Sequence, residues 1–163
     1  MDLELSTNMI FPKRTITYRF LIEHRQKIRL FLAGIEGEIG YRVTKLELMP
    51  KNFGNTSNEL ESTVRLYTVD PGEHTVDWDG VTNFDDSSIV AVATLGMDAT
   101  GDQYPMMLNT TMDAVPFNQD LYVTHWNNHG DANEVNLYIE VAQFALSSLE
   151  SSTLCLKNMR NAN

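Results

Sequence analysis

The chain has 163 residues, of which 42% are hydrophobic, a single cysteine and a formal net charge of −10. That length suits one domain with one core. An acidic balance opposes a role in wrapping nucleic-acid phosphates, and one cysteine (Cys155) forbids both an intramolecular disulfide and a cysteine zinc site. No stretch approaches the roughly 20 consecutive apolar residues that span a bilayer. Met1-Asp2-Leu3-Glu4 is acidic where a signal peptide is basic, so the expectation is a chain made in the cytoplasm and bound to no membrane.

Charge is unevenly placed. Most basic residues fall in the first 45 positions, from Lys13 and Arg14 to Arg42 and Lys45, whereas Leu66 to Leu156 contains no Lys or Arg and accumulates carboxylates from Asp70 to Glu150. Such a region either solvates one face or meets a basic partner, including the basic part of another copy.

Met1 to Arg14 has no sustained period and contains Phe11-Pro12; it reads as an N-terminal arm, leaving 15–163 as a single domain. Met9, Ile10 and Phe11 give the arm an apolar anchor, and Lys13 and Arg14 give it a basic end suited to an acidic partner. From Thr15 onward, Ile16, Tyr18, Phe20 and Ile22 alternate with polar residues, as do Ile28, Leu30 and Leu32, which predicts two half-buried strands around a turn at Glu23 to Gln26. A helix over Arg19 to Ala33 is the rival, because its residues are good helix formers. In Glu38 to Met49 the alternation slips between Val43 and Leu46, the signature of a β-bulge.

A turn-rich loop (Lys51 to Asn58) precedes a strand over Ser62 to Val69, ended by Asp70-Pro71-Gly72. Ser88 to Leu95 is apolar on both faces and predicts a central strand covered on both sides. Weaker runs lie at Thr75 to Trp78 and Pro105 to Leu108. Asp120 to Trp126 and Glu134 to Leu146 alternate across the turn-rich Asn127 to Asp131 and predict a long hairpin, with a second bulge where Phe144 and Leu146 fall out of phase with Val141. Seven to nine strands with little helical period predict a mainly β, two-sheet antiparallel sandwich of jelly-roll or Greek-key type.

No motif in the chain carries catalysis. His125 and His129 have the spacing of a two-histidine zinc motif, but Trp126 stands where that motif has a glutamate, and the segment reads as a strand end, not a helix. Asp77, Asp79, Asp85 and Asp86 offer calcium oxygens without the ordered loop that calcium motifs use. His74 and Asp77 lack a nucleophile. Cys155, between Leu154 and Leu156, reads as a buried or interface thiol. Trp78, Tyr104, Tyr122 and Trp126 either pack against protein or form a stacking platform for sugars, and Met106-Met107 fits either a core or a soft interface. A cupin-type enzyme would need several His and carboxylate ligands converging inside the sandwich. The expectation is therefore a protein that is not an enzyme and has no cofactor or metal.

The stretch Phe117-Asn118-Gln119-Asp120-Leu121-Tyr122-Val123-Thr124-His125, followed by Asn136-Leu137-Tyr138-Ile139-Glu140-Val141, resembles the closing hairpin of small β-sandwich virion proteins of tailed bacteriophages. Capsid decoration (cement) proteins of this kind combine an arm, an acidic body and a helix-poor sandwich. The resemblance implies a non-enzymatic virion protein, made in the host cytoplasm, that binds the major capsid lattice as a dimer or trimer and uses no cofactor. A carbohydrate- or receptor-binding sandwich, as in a head fibre or tail component, is the alternative.

Overall fold

A computed structural model describes residues 14–32, 38–51, 60–72, 82–97, 106–111, 116–128 and 134–161. The period-2 segments form eight strands: β1 (Arg14–Ile22), β2 (Lys27–Leu30), β3 (Ile39–Pro50), β4 (Leu60–Tyr67), β5 (Ile89–Met97), β6 (Met106–Thr111), β7 (Leu121–Asn127) and β8 (Val135–Ala145). One helix, α1 (Ser148–Asn161), follows. Arg19 to Leu30 is thus strand, turn and strand, and the helical rival is overturned. There the β-branched and aromatic side chains bury one face of a sheet, and this outweighs helix propensity.

The strands form a three-stranded sheet, β1-β8-β3, and a five-stranded sheet, β2-β7-β4-β5-β6, with antiparallel pairing throughout. The pairing has a simple order. β1 pairs with β8, β2 with β7 and β4 with β5, so each strand meets the one counted equally far from the opposite end of the chain. That is a long hairpin rolled into two layers, the jelly-roll plan. The remaining pair, β3 with β6, lies in contact without forming a ladder.

This order corrects the expected β7–β8 hairpin. β7 hydrogen-bonds β2 and β4, whereas β8 lies in the other sheet between β1 and β3. Alternation fixes which side chains face the core, but a short connection crosses between layers as readily as it turns back within one. β1 and β2 are split between the layers in the same way. The residues behind the virion resemblance are therefore two strands in opposite sheets.

The predicted bulge is present: the β3–β8 register shifts between Val43 and Lys45. The second is not, because β8 stays in register with β1 and β3 through Gln143 and Phe144. Phe144 simply points away from the core, where the Arg42 guanidinium lies 4.8 Å from its ring centroid. A Cβ on Gly40 would come within 2.8 Å of that ring and 2.7 Å of Leu146.

The core lies between the layers. From one sheet come Ile22, Val43, Leu46, Leu48, Leu137, Ile139 and Val141, and from the other Leu30, Val64, Leu66, Ala91, Ala93, Leu95, Leu121 and Val123. β5 is buried on both faces, as its sequence predicts: Tyr67, Ile89, Val92 and Tyr122 form a second apolar cluster on the outer side. The run near Thr75 to Trp78 lies outside the described residues.

α1 is an element that the period-2 pattern does not predict. Its start is a capping box: the Glu150 amide donates to Ser147 Oγ at 3.3 Å, and Glu150 Oε2 accepts from the Ser147 amide at 2.9 Å. The Ser147 amide and hydroxyl, both donating to Glu150 Oε2, hold the Glu150 carboxyl below its ordinary pKa. Leu154 is buried, while Leu149 and Leu156 are exposed. Cys155 is exposed too, which excludes the buried half of the reading 'buried or interface thiol': the helix turns Leu154 inward and carries the thiol outside.

Candidate interaction surface

The sequence-predicted partner-binding residues fall mostly outside the described residues. Met9, Ile10, Phe11 and Lys13 are among those. Arg14, read from the sequence as the end of the arm, is the first residue of β1 and stands opposite Gln143 of β8.

Of the two motif histidines, the structure describes His125 alone. His125 lies on the inner face of β7 and is 1% exposed, whereas His129 lies outside the described residues. His125 Nε2 is 3.3 Å from Ser62 Oγ, and its Nδ1 is buried with no hydrogen-bond partner among the described residues. Burial lowers the His125 pKa to about 4; the Glu23 backbone opposes this more weakly, and neighbouring His24 adds to it. The imidazole is therefore neutral near pH 7. The β1–β2 turn closes over it: the Arg25 amide donates to the His125 carbonyl at 2.9 Å, with Arg25 at φ 60°. His24 Nδ1 accepts from the Asn127 amide at 3.0 Å.

Of the aspartate run, Asp77 and Asp79 lie outside the described residues, as do His74, Trp78 and Tyr104. Asp86 is a turn former: its Oδ1 accepts from the Ser88 amide at 2.9 Å and from Ser88 Oγ at 2.6 Å. The Asp85 amide donates to the Asn83 side chain at 3.0 Å. Among the described residues no three His, Cys, Asp or Glu side chains gather as a metal site. No described helix is long and apolar enough to cross a membrane.

The strongest polar cluster is a clamp at the start of β7. Asp120 Oδ2 accepts from Arg29 Nε at 2.7 Å and lies 2.6 Å from a terminal guanidinium nitrogen, while Oδ1 accepts from the Leu32 amide at 3.0 Å. That bond to Asp120 raises the Arg29 pKa. The guanidinium also lies 4.8 Å from the centroid of Phe31 and 5.8 Å from that of Tyr122. One carboxylate thus ties the end of β2 to β7. Asp120→Asn is expected to lower the melting temperature by a few degrees without changing the fold, because an amide cannot accept both forks of the guanidinium and the Leu32 amide equally well. Calorimetry on the two proteins checks this.

The exposed apolar side chains are distributed tellingly. Phe31 is exposed beside the clamp, Met49 near the end of β3, and Leu149, Leu156 and Met159 on α1. The densest group is Met106, Met107 and Leu108, adjacent on edge strand β6 and 67%, 53% and 67% exposed. Met106-Met107, which the sequence left open between core and soft interface, is thus on the surface. Trp126 is half-buried on the outer face of β7. A groove of about 790 Å³ is lined by all three strands of the smaller sheet, with Arg19 to Leu21 of β1, Glu47 to Pro50 of β3 and Asn136 to Tyr138 of β8, and by Leu95, Met107 and Asn109 of the facing sheet. What the described residues offer on their surface is exposed apolar side chains and strand edges.

No protein-family model matches this chain, and no curated protein matches it in sequence.

Proposed function

We propose that the protein is a non-enzymatic virion structural protein, a capsid decoration subunit that binds the major capsid lattice and other copies of itself and stabilises the particle. The observation that carries the assembly part is the set of large apolar side chains exposed on β6 and α1. The virion part is supported by the resemblance in layout, an arm followed by an acidic, helix-poor body. The rolled strand order adds to it, since capsid subunits are among the proteins built on that plan, as are lectins and cupins. Charge supports assembly as well: the strands β1 and β3 carry Arg14, Arg19, Arg42 and Lys45, while no Lys or Arg falls between Leu66 and Leu156.

The arm is the proposed attachment device. Burying Met9, Ile10 and Phe11 contributes on the order of 5 kcal/mol before ordering costs, which matters when repeated over a symmetric shell. Lys13 and Arg14 then face an acidic surface. Deleting residues 1–13 stops short of β1, so the sandwich is expected to keep its melting temperature within a few degrees. The truncated protein should fail to co-sediment with particles that the intact chain decorates. Equal co-sedimentation would move the contact to the sandwich itself.

A further inference from the structure

The groove that both sheets line has the make-up of a small-molecule site. Its volume of about 790 Å³ falls within the range of ligand pockets, roughly 300–1,000 Å³. Exposure sorts its lining by depth. Leu48, Leu95 and Leu137 are 3%, 1% and 2% exposed and form an apolar floor, with side chains from both sheets. Phe20 is half-buried, and Met49 and Met107 are exposed at the rim. A molecule seated there meets hydrocarbon along most of its length.

Arg19 and Glu47 are the charged members of the described lining, and they are satisfied differently. Glu47 has the Lys45 ammonium at 3.1 Å, so its charge is offset within the strand. Tyr138 donates its hydroxyl to Glu140 and has the same ammonium 5.3 Å from its ring centroid. Arg19 is exposed and makes no ion pair or hydrogen bond with another side chain among the described residues. Acidic residues outnumber basic ones by 22 to 12 in this chain, yet no described carboxylate is set against this guanidinium.

We propose that the groove binds a long-chain aliphatic carboxylate, its hydrocarbon tail on Phe20, Leu48, Leu95 and Leu137 and its carboxylate on the Arg19 guanidinium. Charge complementarity selects this occupant. An uncompensated cation at an exposed rim matches one anionic head, and the guanidinium presents paired donors to the two oxygens of a carboxylate. The floor of leucines matches a tail without polar groups. A sugar would leave its hydroxyls unpaired against those leucines, and an alkyl amine would meet Arg19 as a like charge. This site is independent of the assembly reading: particle attachment and binding in the groove are separate measurements, and either can fail alone.

Isothermal titration calorimetry of the full chain with dodecanoate, below its micelle concentration, tests this. Dodecanoate should bind at least about tenfold more tightly than octanoate, because it buries more methylene groups. It should also bind more tightly than dodecylamine, although the net charge of −10 attracts the amine to the rest of the surface. Arg19→Gln should weaken dodecanoate binding about threefold to tenfold, the range for a partly solvated charge-assisted contact, and leave dodecanol binding unchanged. Met107→Glu puts a carboxylate at an exposed position of the lining and should weaken dodecanoate binding at least about tenfold. Lys157→Gln removes a positive charge from α1, away from the groove, and should change nothing. Near-ultraviolet circular dichroism spectra that match the intact chain show that the variants are folded. Failure of the full chain to bind dodecanoate overturns the proposal and leaves the groove to an apolar protein segment. Equal binding of dodecanoate and dodecylamine overturns it as well. So does full-strength binding by both Arg19→Gln and Met107→Glu, or a loss caused by Lys157→Gln.

Discussion

Ile139→Ala is expected to lower the free energy of unfolding by about 4 kcal/mol, within the usual range for a fully buried aliphatic side chain cut to alanine. Ile139 is 0% exposed on β8, the central strand of the three-stranded sheet, and stands opposite Tyr18 of β1 and Leu46 of β3. A cavity there lies between two hydrogen-bonded neighbours that cannot easily collapse into it. Total stabilities of domains this size are about 5–15 kcal/mol, so the loss takes a large share. Thr15→Ala, at an exposed position of β1, should cost less than about 1 kcal/mol. Urea denaturation of the two variants measures the difference. A loss below about 1 kcal/mol for Ile139→Ala would mean that the two layers do not pack as described.

Acidification should destabilise the protein before its carboxylates titrate. His125 has a folded-state pKa of about 4 against 6.5 for the free side chain. The unfolded chain therefore takes up a proton first as pH falls. Stability from the neutral imidazole is fully present above about pH 6.5, declines through the interval and levels off below about pH 4, for a total of about 3 kcal/mol. Asp70 has its pKa lowered by Lys27 and the Gly72 amide, and Glu150 by Ser147, so both act further down the pH scale. The urea midpoint followed from pH 7.5 to 4.5 should fall in the intact protein. It should stay nearly flat in His125→Gln, which keeps a polar group near Ser62 but does not titrate over that range. Parallel curves for the two proteins would show that His125 is not the group responsible.

The legible part of the fold was what a strand writes into its own residues. Thr15 to Ile22, Ser62 to Tyr67 and Ile89 to Leu95 announce themselves by alternation or by apolar residues on both faces, and the slip between Val43 and Leu46 marks the bulge. Partner choice is not written locally. Val135 to Val141 specifies which side chains face inward, and that pattern is satisfied equally by pairing with β7 or with β1, from the other end of the chain. The helix has a local signal in the sequence, Ser147 with Glu150 three residues on. Ser151, Ser152 and Thr153 then weaken the helical propensity that would have confirmed it.

The surface was legible in kind and less so in place. Met106-Met107 stands out by composition, but its position on an edge strand follows only from the strand order. His125 looked like a ligand by spacing and proves to be a buried neutral side chain, because the inner face of β7 is where odd-numbered residues from Leu121 to Asn127 point. The arm residues Met9 to Lys13 carry their chemistry in the sequence alone.

Cryo-electron microscopy of particles purified from the natural source tests the central claim most directly. The account predicts density for the eight-stranded roll on the outside of the shell, repeated by the lattice symmetry, with the N-terminal segment laid on the major capsid protein. Well-resolved particles without this chain, prepared from a source in which the chain is abundant outside them, would contradict it.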